Sequence, residues 1–363
     1  MLSFFDNLTD PRIDRTRLHE LKDIIGLTIC AVLSGCEDWE EIEIYGKGKE
    51  DFLRQFLRFP NGIPSHDTIS RVFSLLDPKE LKGCFIDWVQ SIAQITNGRV
   101  VSIDGKRMRN SGVGGKKAFV HMVSAWCNSN NMVLGQEKTD EKSNEITAIP
   151  TLLELLVLEG AIVTIDAMGC QTEIASKIIG QGADYVLAVK ENQEHLLDDI
   201  QEAFEQTPRV DSHMSIEKSH GRIEKRTCSV IEDMDWISKK EQWEGLKSII
   251  CIQSERTILP TGLKQTERRF YISSLLSTPN HFGEIVRQHW SIENKLHWSL
   301  DVTFKEDLST KQAGNAAENF SIITKIAINL LKNNRSKKTS IKKKRLMSLF
   351  DNDFLSKTVF NEI

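Results

Sequence analysis

The sequence predicts an α/β protein whose core of strands and helices is preceded by an all-helical segment and interrupted by a strand-rich block. Three observations indicate this fold class. Residues 1–95 carry apolar and amphipathic patterns of helical period, and residues 96–208 alternate short Val- and Ile-rich runs with helical patterns. Residues 209–278 contain successive strand-like runs that are separated by Gly- and Pro-containing turns.

The predicted elements of the core follow a defined order. Strands at residues 99–104, 119–127 and 132–138 come first, and alternating helices and strands follow as far as a helix that ends near Phe204. The order strand-strand-strand-helix-strand-helix-strand-helix is that of the ribonuclease H-like fold, in which parallel strands extend a three-stranded meander through crossover helices. We therefore predict a ribonuclease H-like core that the block at 209–278 interrupts.

The remaining segments complete the predicted domain organisation. Residues 279–331 are predicted to return to the core as helices, and residues 332–363 are predicted to form a basic tail with a short C-terminal helix. A chain of 363 residues is longer than one ordinary compact core, which favours a division into several domains.

Composition places the chain among ordinary soluble globular proteins. Hydrophobic residues make up 40% of it and charged residues 27%. No apolar run approaches the ~20 residues of a membrane span, and the N-terminus lacks the pattern of a signal peptide. Seven scattered cysteines without a Cys-x-x-Cys pair are typical of a reducing compartment and argue against a zinc module. These features predict a cytoplasmic protein.

The net charge of −4 conceals an uneven distribution of charge. The segment Lys332–Arg345 contains eight Lys or Arg residues and no Asp or Glu, so the rest of the chain has 39 basic against 51 acidic residues. Such a run is typical of a solvated tail, and it is also a means by which an acidic protein binds a phosphate backbone. Both interpretations stay open at this point.

Two aspartates occupy matching positions at the ends of predicted strands. Asp104 ends the run Arg99–Asp104, Asp166 ends the run Ala161–Asp166, and a small residue follows each. Ligands of α/β proteins bind at the C-terminal ends of strands, and these two strands are neighbours in the predicted fold. A single aspartate at a strand end is usually a turn or cap residue, but two matched ones indicate a shared site.

The segment Arg287–Asp301 is predicted to be one helix, because it lacks Gly and Pro and has apolar residues at helical spacing. Residues four apart lie on one helix face. One polar stripe would then contain His289, Glu293, His297 and Asp301. Either the stripe is a satisfied polar network, or Glu293 binds a metal ion together with carboxylates from elsewhere in the chain. The matched aspartates favour the second interpretation.

A short helix after Pro64 is a further candidate for function. Ser65 is a suitable N-cap, and the apolar face comprises Ile69, Val72, Phe73 and Leu76. The polar residues on the opposite face suit contact with DNA by a recognition helix. They suit equally well a capped helix within a helical bundle, and both interpretations stay open.

Long motifs in a fixed order resemble one family over nearly the whole chain. They are Asp10–Arg12, Gly62–Thr68, Val101–Lys106, Thr164–Gln171, Gly182–Gln193, His289–Asp307 and Asn315–Asn319. These motifs are similar to those of the DDE transposases of the ISAs group, also called H-repeat-associated proteins. The resemblance implies a bacterial insertion-sequence transposase whose catalytic, metal-binding triad maps onto Asp104, Asp166 and Glu293. It also implies a strand-rich block before the third carboxylate.

The sequence departs from the wider family around the third carboxylate. Related transposases have a Tyr seven residues before the Glu, an Arg four residues before it and a Lys seven residues after it. In this sequence those positions are Val286, His289 and Leu300. The predicted contacts with DNA are therefore spread over Lys106, Arg107, Arg109, Lys190, Arg287, His289, Lys295 and His297.

The residue types of the predicted triad suit divalent-metal chemistry on DNA. Two Asp and one Glu offer the carboxylate oxygens that Mg²⁺ prefers, and we expect Mn²⁺ to substitute for it. Two such ions ~3.5–4 Å apart activate the attacking oxygen and stabilise the leaving oxygen of a phosphodiester. We expect water to cleave at the element ends, and the released 3′-hydroxyl to join the target DNA. The resemblance implies a homodimer on the terminal inverted repeats.

Three other functions are consistent with parts of the sequence. A metal-dependent DNA nuclease would use the same triad without joining strands. A zinc hydrolase built on His289, Glu293 and His297 would leave the two strand-end aspartates unexplained, and it would stay active after Asp104→Asn. An inactive or domesticated sequence-specific DNA-binding protein would keep the fold without catalysis, and the intact triad argues against it.

Overall fold

The computed structural model describes residues 1–93, 98–108, 120–139, 145–219 and 221–360. The chain folds into two compact units. The first unit comprises Met1–Gln94, Gly105–Ser143 and Glu293–Ile363, and the second comprises Ile95–Asp104 and Asn144–Ile292. Each unit is therefore assembled from segments that are distant in sequence.

Helices and strands both contribute extensively to the described residues, which confirms the predicted mixed α/β class. The helices are α1 Leu21–Leu33, α2 Trp39–Gly48, α3 Glu50–Leu53, α4 His66–Leu75, α5 Pro78–Ile92, α6 Glu145–Glu154, α7 Thr172–Gly180, α8 Glu194–Gln206, α9 Pro279–His289, α10 Ala316–Asn333, α11 Ile341–Phe350 and α12 Asn352–Phe360. The strands are β1 Val100–Arg107, β2 His121–Cys127, β3 Met132–Lys138, β4 Ile162–Ile165, β5 Asp184–Val189, β6 Asp211–Ser219, β7 Arg222–Ile231, β8 Ser248–Ile258 and β9 Lys264–Ser273. Within the described ranges, no helix combines the length and the apolarity needed to cross a membrane.

The first unit is largely helical. Helix α1 is buried along almost its whole length, because nearly all its residues are apolar. Helix α1 thus agrees with the helical character predicted for residues 1–95. Helix α10 packs against α1, α4, α5 and β3. Strands β2 and β3 form an antiparallel pair in the same unit.

The helix predicted after Pro64 is present as α4. The hydroxyl of Ser65 accepts a hydrogen bond from the N–H of Thr68, so Ser65 is the N-cap. The predicted apolar face is buried, with Ile69, Val72, Phe73 and Leu76 inaccessible to solvent. On another side of the helix, His66 pairs with the carboxylate of Glu43 at 2.7 Å. A contact between this helix and DNA stays a prediction.

The second unit is built on strands in the order β1-β4-β5-β9-β8-β7-β6. The first part of β1 runs parallel to β4, and β4 runs parallel to β5. The neighbours from β5 to β6 are all antiparallel. Parallel strands cannot be joined by a tight turn, and α7 provides the crossover between β4 and β5.

The strand-rich stretch predicted at residues 209–278 is present as β6, β7, β8 and β9. Gly221 precedes β7 and Gly262 precedes β9, and both have φ near +70°, a conformation that favours glycine (φ +72 and +67). Helix α9 covers part of this sheet. Its apolar residues Phe282, Ile285 and Val286 are buried against the strands, which explains the amphipathic pattern of the helix.

The segment Arg287–Asp301 is largely helical, as predicted, but it is not one continuous α-helix. Helix α9 ends at His289, and π-helical turns follow at Ile292–His297 and Ser299–Thr303. The buried apolar residues of these turns recur every four positions, at Ile292, Leu296 and Leu300. An α-helix gives the same spacing, so the hydrophobic pattern could not distinguish the two. Short π-helical turns inside helices occur frequently at functional sites.

The segment predicted as a basic tail is folded through most of its length. It forms α11 and α12, and two of its cations are buried. The ammonium group of Lys344 donates to the carbonyl of Leu331 at 2.8 Å, and the guanidinium of Arg345 donates to the carbonyls of Val32 and Thr303. These two residues therefore stabilise the first unit. The exposed basic residues of the segment are Arg335, Lys337, Lys338, Lys342 and Lys343.

Candidate active site

Asp104 and Asp166 lie side by side, as their positions in neighbouring strands predicted. Strands β1 and β4 are parallel with Ile103 opposite Ile165, so the aspartates that follow are also neighbours. Carboxylate oxygens of Asp104, Asp166 and Glu145 all lie within 4.8 Å of one another, and all three side chains are half-buried. Among the described residues, this is the acidic group with a spacing suited to a shared metal ion.

Asp104 is not the last residue of its strand, contrary to the prediction. The parallel pairing with β4 ends at Ile103, but β1 continues to Arg107. Just beyond the strand, the N–H of Met108 donates to the carbonyl of Val120 at 2.9 Å. Asp104 therefore stands where β1 leaves its parallel neighbour, and its side chain still lies at the C-terminal end of β4.

Asp166 is oriented by the backbone that follows it. One of its carboxylate oxygens accepts hydrogen bonds from the N–H groups of Met168 and Gly169, at 3.1 and 3.4 Å. Burial and the negative charge of Glu145 raise the pKa of Asp166, although the two N–H groups and Lys190 act in the opposite direction. A group of carboxylates under this mutual repulsion favours the approach of a cation.

Glu145 is the member of the acidic group that the sequence did not reveal. It is the first residue of α6, where an acidic side chain is expected on helix-capping grounds alone. Only the packing of α6 against the turn Ala167–Gly169, which follows Asp166, brings Glu145 to the aspartates. The sequence contains no signal that separates this position from an ordinary helix start.

A cavity of about 300 Å³ opens next to Asp166 in the second unit. Its wall includes the cations Lys190, Arg268 and Arg269 and the aromatic ring of Trp290. The guanidinium of Arg269 lies 4.6 Å from the centre of the Trp290 ring and also pairs with Glu267. Of the predicted DNA contacts, Lys190 is thus exposed beside an aspartate of the acidic group. Arg268 and Arg269 were not predicted.

Glu293, the predicted third carboxylate, lies in the first unit. It is exposed on the π-helical turn Ile292–His297, and it is not a member of the acidic group around Asp104. Its predicted role as a metal ligand therefore stays a prediction. The structure instead supplies Glu145 as a carboxylate beside the two aspartates.

Lys106, a predicted DNA contact, is buried in an ionic network of the first unit. Its ammonium group lies 2.7 Å from Asp301, 3.1 Å from Glu306 and 3.1 Å from Asp307. Burial acts against the charge of Lys106, but the neighbouring carboxylates outweigh it and raise the pKa of the lysine. The same network contains Lys325, which lies 3.5 Å from Glu306. These internal partners compete with any phosphate for Lys106.

Two predicted DNA contacts on α9 also have partners in the protein. Arg287 forms a bidentate pair with Glu217 on β6. The Nδ1 atom of His289 is hydrogen-bonded to the hydroxyl of Thr164 at 3.0 Å. Burial lowers the pKa of His289 to about 4, so its imidazole is neutral at neutral pH. The residues of the polar stripe predicted from His289 to Asp301 therefore belong to different units, His289 to the second and Asp301 to the first.

The other predicted DNA contacts lie in the first unit. Lys295 is exposed and donates to the side chain of Asn131 at 3.2 Å. Burial, together with the charges of Lys106 and Lys325, lowers the pKa of His297 to about 4. Arg107 is exposed at the end of β1, and Arg109 lies outside the described residues.

Comparison with known proteins identifies the family of the chain. The family model described as "Transposase DDE domain" matches residues 95–330, and the model described as "DDE_Tnp_1-associated" matches residues 2–89. "H repeat-associated putative transposase YhhI" of Escherichia coli (strain K12) is 44% identical over 348 residues, which cover 93% of this chain and 92% of that protein. "Putative transposase YncI" of Escherichia coli O157:H7 is 42% identical over 353 residues, or 95% of this chain and 90% of that protein.

These matches cover well over half of the chain, and the chain belongs to the DDE transposase family. The resemblance to H-repeat-associated transposases that the motifs indicated is therefore confirmed. Membership implies DNA as the partner and divalent metal ions as cofactors of the domain. A shorter match, 60% identical over 57 residues, is to "Inactive transposase YbfQ" of Escherichia coli (strain K12), with 16% of this chain and 68% of that protein covered.

Proposed function

We propose that this chain cleaves DNA at the ends of an insertion sequence and joins those ends to target DNA. Asp104, Asp166 and Glu293 are the proposed catalytic carboxylates. The observation that carries the proposal is the proximity of Asp104 and Asp166, which directly follow the paired residues Ile103 and Ile165 of two parallel strands in a DDE transposase chain. Adjacent carboxylates form the kind of site on which two-metal phosphoryl transfer depends.

A ribonuclease H-like core is part of this proposal. The antiparallel pair β2–β3 and the parallel strands β1, β4 and β5 are the components that such a core requires. Strands β6 to β9 follow α8 and precede α9, which supports their assignment as an insertion before the segment that carries Glu293.

The donor set fits a hard divalent cation. Asp104, Asp166 and Glu145 offer only carboxylate oxygens, and their spacing within 4.8 Å allows more than one of them to hold the same ion. Imidazole or thiolate ligands, which would favour zinc, do not occur in this group. Mg²⁺, or Mn²⁺ in its place, would be held by Asp104 and Asp166 together with a third carboxylate. When bound, the ion would polarise the phosphate and lower the pKa of the attacking water or 3′-hydroxyl group.

The residues of the chain have separate tasks in this proposal. The backbone N–H groups of Met168 and Gly169 fix the orientation of the Asp166 carboxylate beside Asp104 and Glu145. Lys190 and Arg268 are exposed cations in the cavity beside Asp166, where they suit contact with the DNA backbone. Of the predicted DNA contacts in the first unit, Arg107 and Lys295 are exposed.

A homodimer that binds the two ends of the element is also part of the proposal.

The test is a cleavage and joining assay with the full-length protein and DNA that carries the inverted repeats flanking its gene. We expect Mg²⁺-dependent nicks at the repeat ends, followed by joined products. Asp104→Asn and Asp166→Asn should each lower both activities at least a thousandfold while DNA binding is retained. Nicking without joined products would identify a nuclease, and DNA binding without nicking would identify an inactive relative.

The same assay assigns the third carboxylate. Glu293→Gln and Glu145→Gln are matched variants, because each removes one charge and keeps the shape of the side chain. The proposal expects Glu293→Gln to match the loss in Asp104→Asn, whereas Glu145→Gln should retain measurable activity. The reverse result would assign the third position to Glu145 and remove Glu293 from the triad.

A further inference from the structure

Strand β6 is an unprotected edge of the sheet in the second unit. All nine of its residues, Asp211–Ser219, pair with β7 without a register shift, and no described strand pairs with its other side. An antiparallel strand directs alternate backbone groups to each side. The outer side of β6 therefore presents a row of N–H and C=O groups that can pair with another strand.

The side chains of β6 do not block such pairing. Met214 is 51% exposed and Ile216 is 62% exposed, and both point to the same face of the sheet. Natural edge strands are usually protected by a proline, a bulge or a central charged residue. β6 has no proline and no bulge, and its one lysine, Lys218, stands next to its end.

We propose that β6 pairs with β6 of a second copy of this chain, antiparallel and about a two-fold axis at Ser215. The sequence of the strand is complementary to itself in this register. Met214 then faces the partner's Ile216, so that four apolar side chains meet on one face of the continuous sheet. On the other face His213 lies opposite the partner's Glu217, and no two like charges are directly opposed.

Neighbouring registers are less favourable. Directly opposed residues of an antiparallel pair point to the same face of the sheet, and a two-fold axis perpendicular to the sheet leaves each residue on its own face. The axis must therefore pass through a residue, and the nearest alternatives to Ser215 are Met214 and Ile216. An axis at Met214 would place Asp211 opposite the partner's Glu217, and like charges in that position repel. An axis at Ile216 would place Met214 opposite the partner's Lys218. Ser215 is therefore the centre that the side chains select.

The charge of the strand argues against DNA as its occupant. β6 carries Asp211 and Glu217 against the single cation Lys218, whereas a phosphate backbone is attracted by clustered cations. Pairing with a second copy would also provide hydrogen-bond partners for the β6 backbone of both subunits, because an isologous contact uses the same patch on each subunit.

The sharpest test is a cysteine on the proposed axis. Directly opposed residues of an antiparallel pair have Cα atoms about 4.5–5.5 Å apart, within the range that a disulfide spans. Full-length Ser215→Cys should form a covalent dimer on mild oxidation. Ser212→Cys on the same strand should not, because its counterpart is Lys218. The unsubstituted chain gives the background from the seven native cysteines.

A second measurement follows the dimer without cross-linking. In analytical ultracentrifugation, Ile216→Lys should raise the dimer dissociation constant at least tenfold, because it places a charge on the paired edge. The control is Ile44→Lys, whose side chain is 69% exposed on α2 and should leave the constant unchanged. The inference is overturned if the chain stays monomeric with and without DNA, or if Ser215→Cys gives no covalent dimer. It is also overturned if Ile216→Lys weakens only DNA binding.

This inference does not depend on catalysis. Asp104→Asn should dimerise as the unsubstituted chain does. Failure of the cleavage assay would therefore leave the dimer intact, and failure of the dimer would leave the acidic group of Asp104 and Asp166 unaffected.

Discussion

At the scale of single residues, Lys106 shows how surroundings decide the role of a charged side chain. It lies two positions after Asp104, and its place in the motif Val101–Lys106 favoured a contact with DNA. In the structure its side chain is only 9% exposed and has three carboxylate neighbours. All three, Asp301, Glu306 and Asp307, follow Glu293 in the chain. Lys106 thus holds the end of β1 against the segment that carries the proposed third carboxylate.

Replacement of Lys106 should therefore be costly for the fold. We expect Lys106→Met to lower the free energy of unfolding by about 3 kcal/mol, because it removes the buried cation that the carboxylates of Asp301, Glu306 and Asp307 share. Urea unfolding followed by circular dichroism measures the change. Lys47→Met is the matched control, since Lys47 is 63% exposed and its ion pair with Glu43 should contribute no more than about 0.5 kcal/mol. Equal effects of the two substitutions would contradict a structural role for Lys106.

At the scale of elements, the junction between α10 and α4 illustrates a local requirement for glycine. Asn315 and Asn319 at the start of α10 donate hydrogen bonds to the carbonyls of Phe73 and Leu76 at the end of α4. Gly314 precedes them with φ of +51°, and a Cβ there would collide with the carbonyl oxygen of Ser74. The close approach of the two helices therefore depends on the absence of a side chain.

We expect Gly314→Ala to lower the free energy of unfolding by about 3 kcal/mol, since it combines backbone strain with this collision. Gly62→Ala is the control, because Gly62 has φ of +75° but open space around its Cα. It should lower the free energy by about 1 kcal/mol, from strain alone. Thermal unfolding of both variants measures the difference, and a similar loss in both would show that Ser74 does not restrict position 314.

The elements also show where sequence patterns suffice. The strands β3 and β5 and the cap of α4 could be predicted, because alternation, apolar runs and a capping serine are local properties. The π-helical turns after His289 could not be predicted, because the buried Ile292, Leu296 and Leu300 have the spacing of an α-helix. Hydrogen bonding, and not hydrophobic spacing, distinguishes the two helix types.

At the scale of the whole molecule, the candidate site was predictable only in part. Asp104 and Asp166 were found because each is the last residue of a largely apolar run in the sequence. Glu145 was missed because its approach to them depends on tertiary packing of α6. Tertiary packing also explains why the basic segment Lys332–Arg345 is not uniformly exposed. It buries Lys344 and Arg345 and leaves other cations of the segment in solvent.

The central claim is that Asp104 and Asp166 together bind the divalent ions of a DNA transposase, and a change of ligand tests it directly. The measurement is the rate of DNA cleavage by Asp166→Cys in Mg²⁺ and in Mn²⁺. A thiolate is a poor ligand for Mg²⁺ and a better one for Mn²⁺, so we expect activity to be lost in Mg²⁺ and to recover at least tenfold in Mn²⁺. Asp166→Ala, which offers no ligand, should be inactive in both. Full activity of Asp166→Cys in Mg²⁺, or the absence of any recovery in Mn²⁺, would contradict the assignment of Asp166 as a metal ligand.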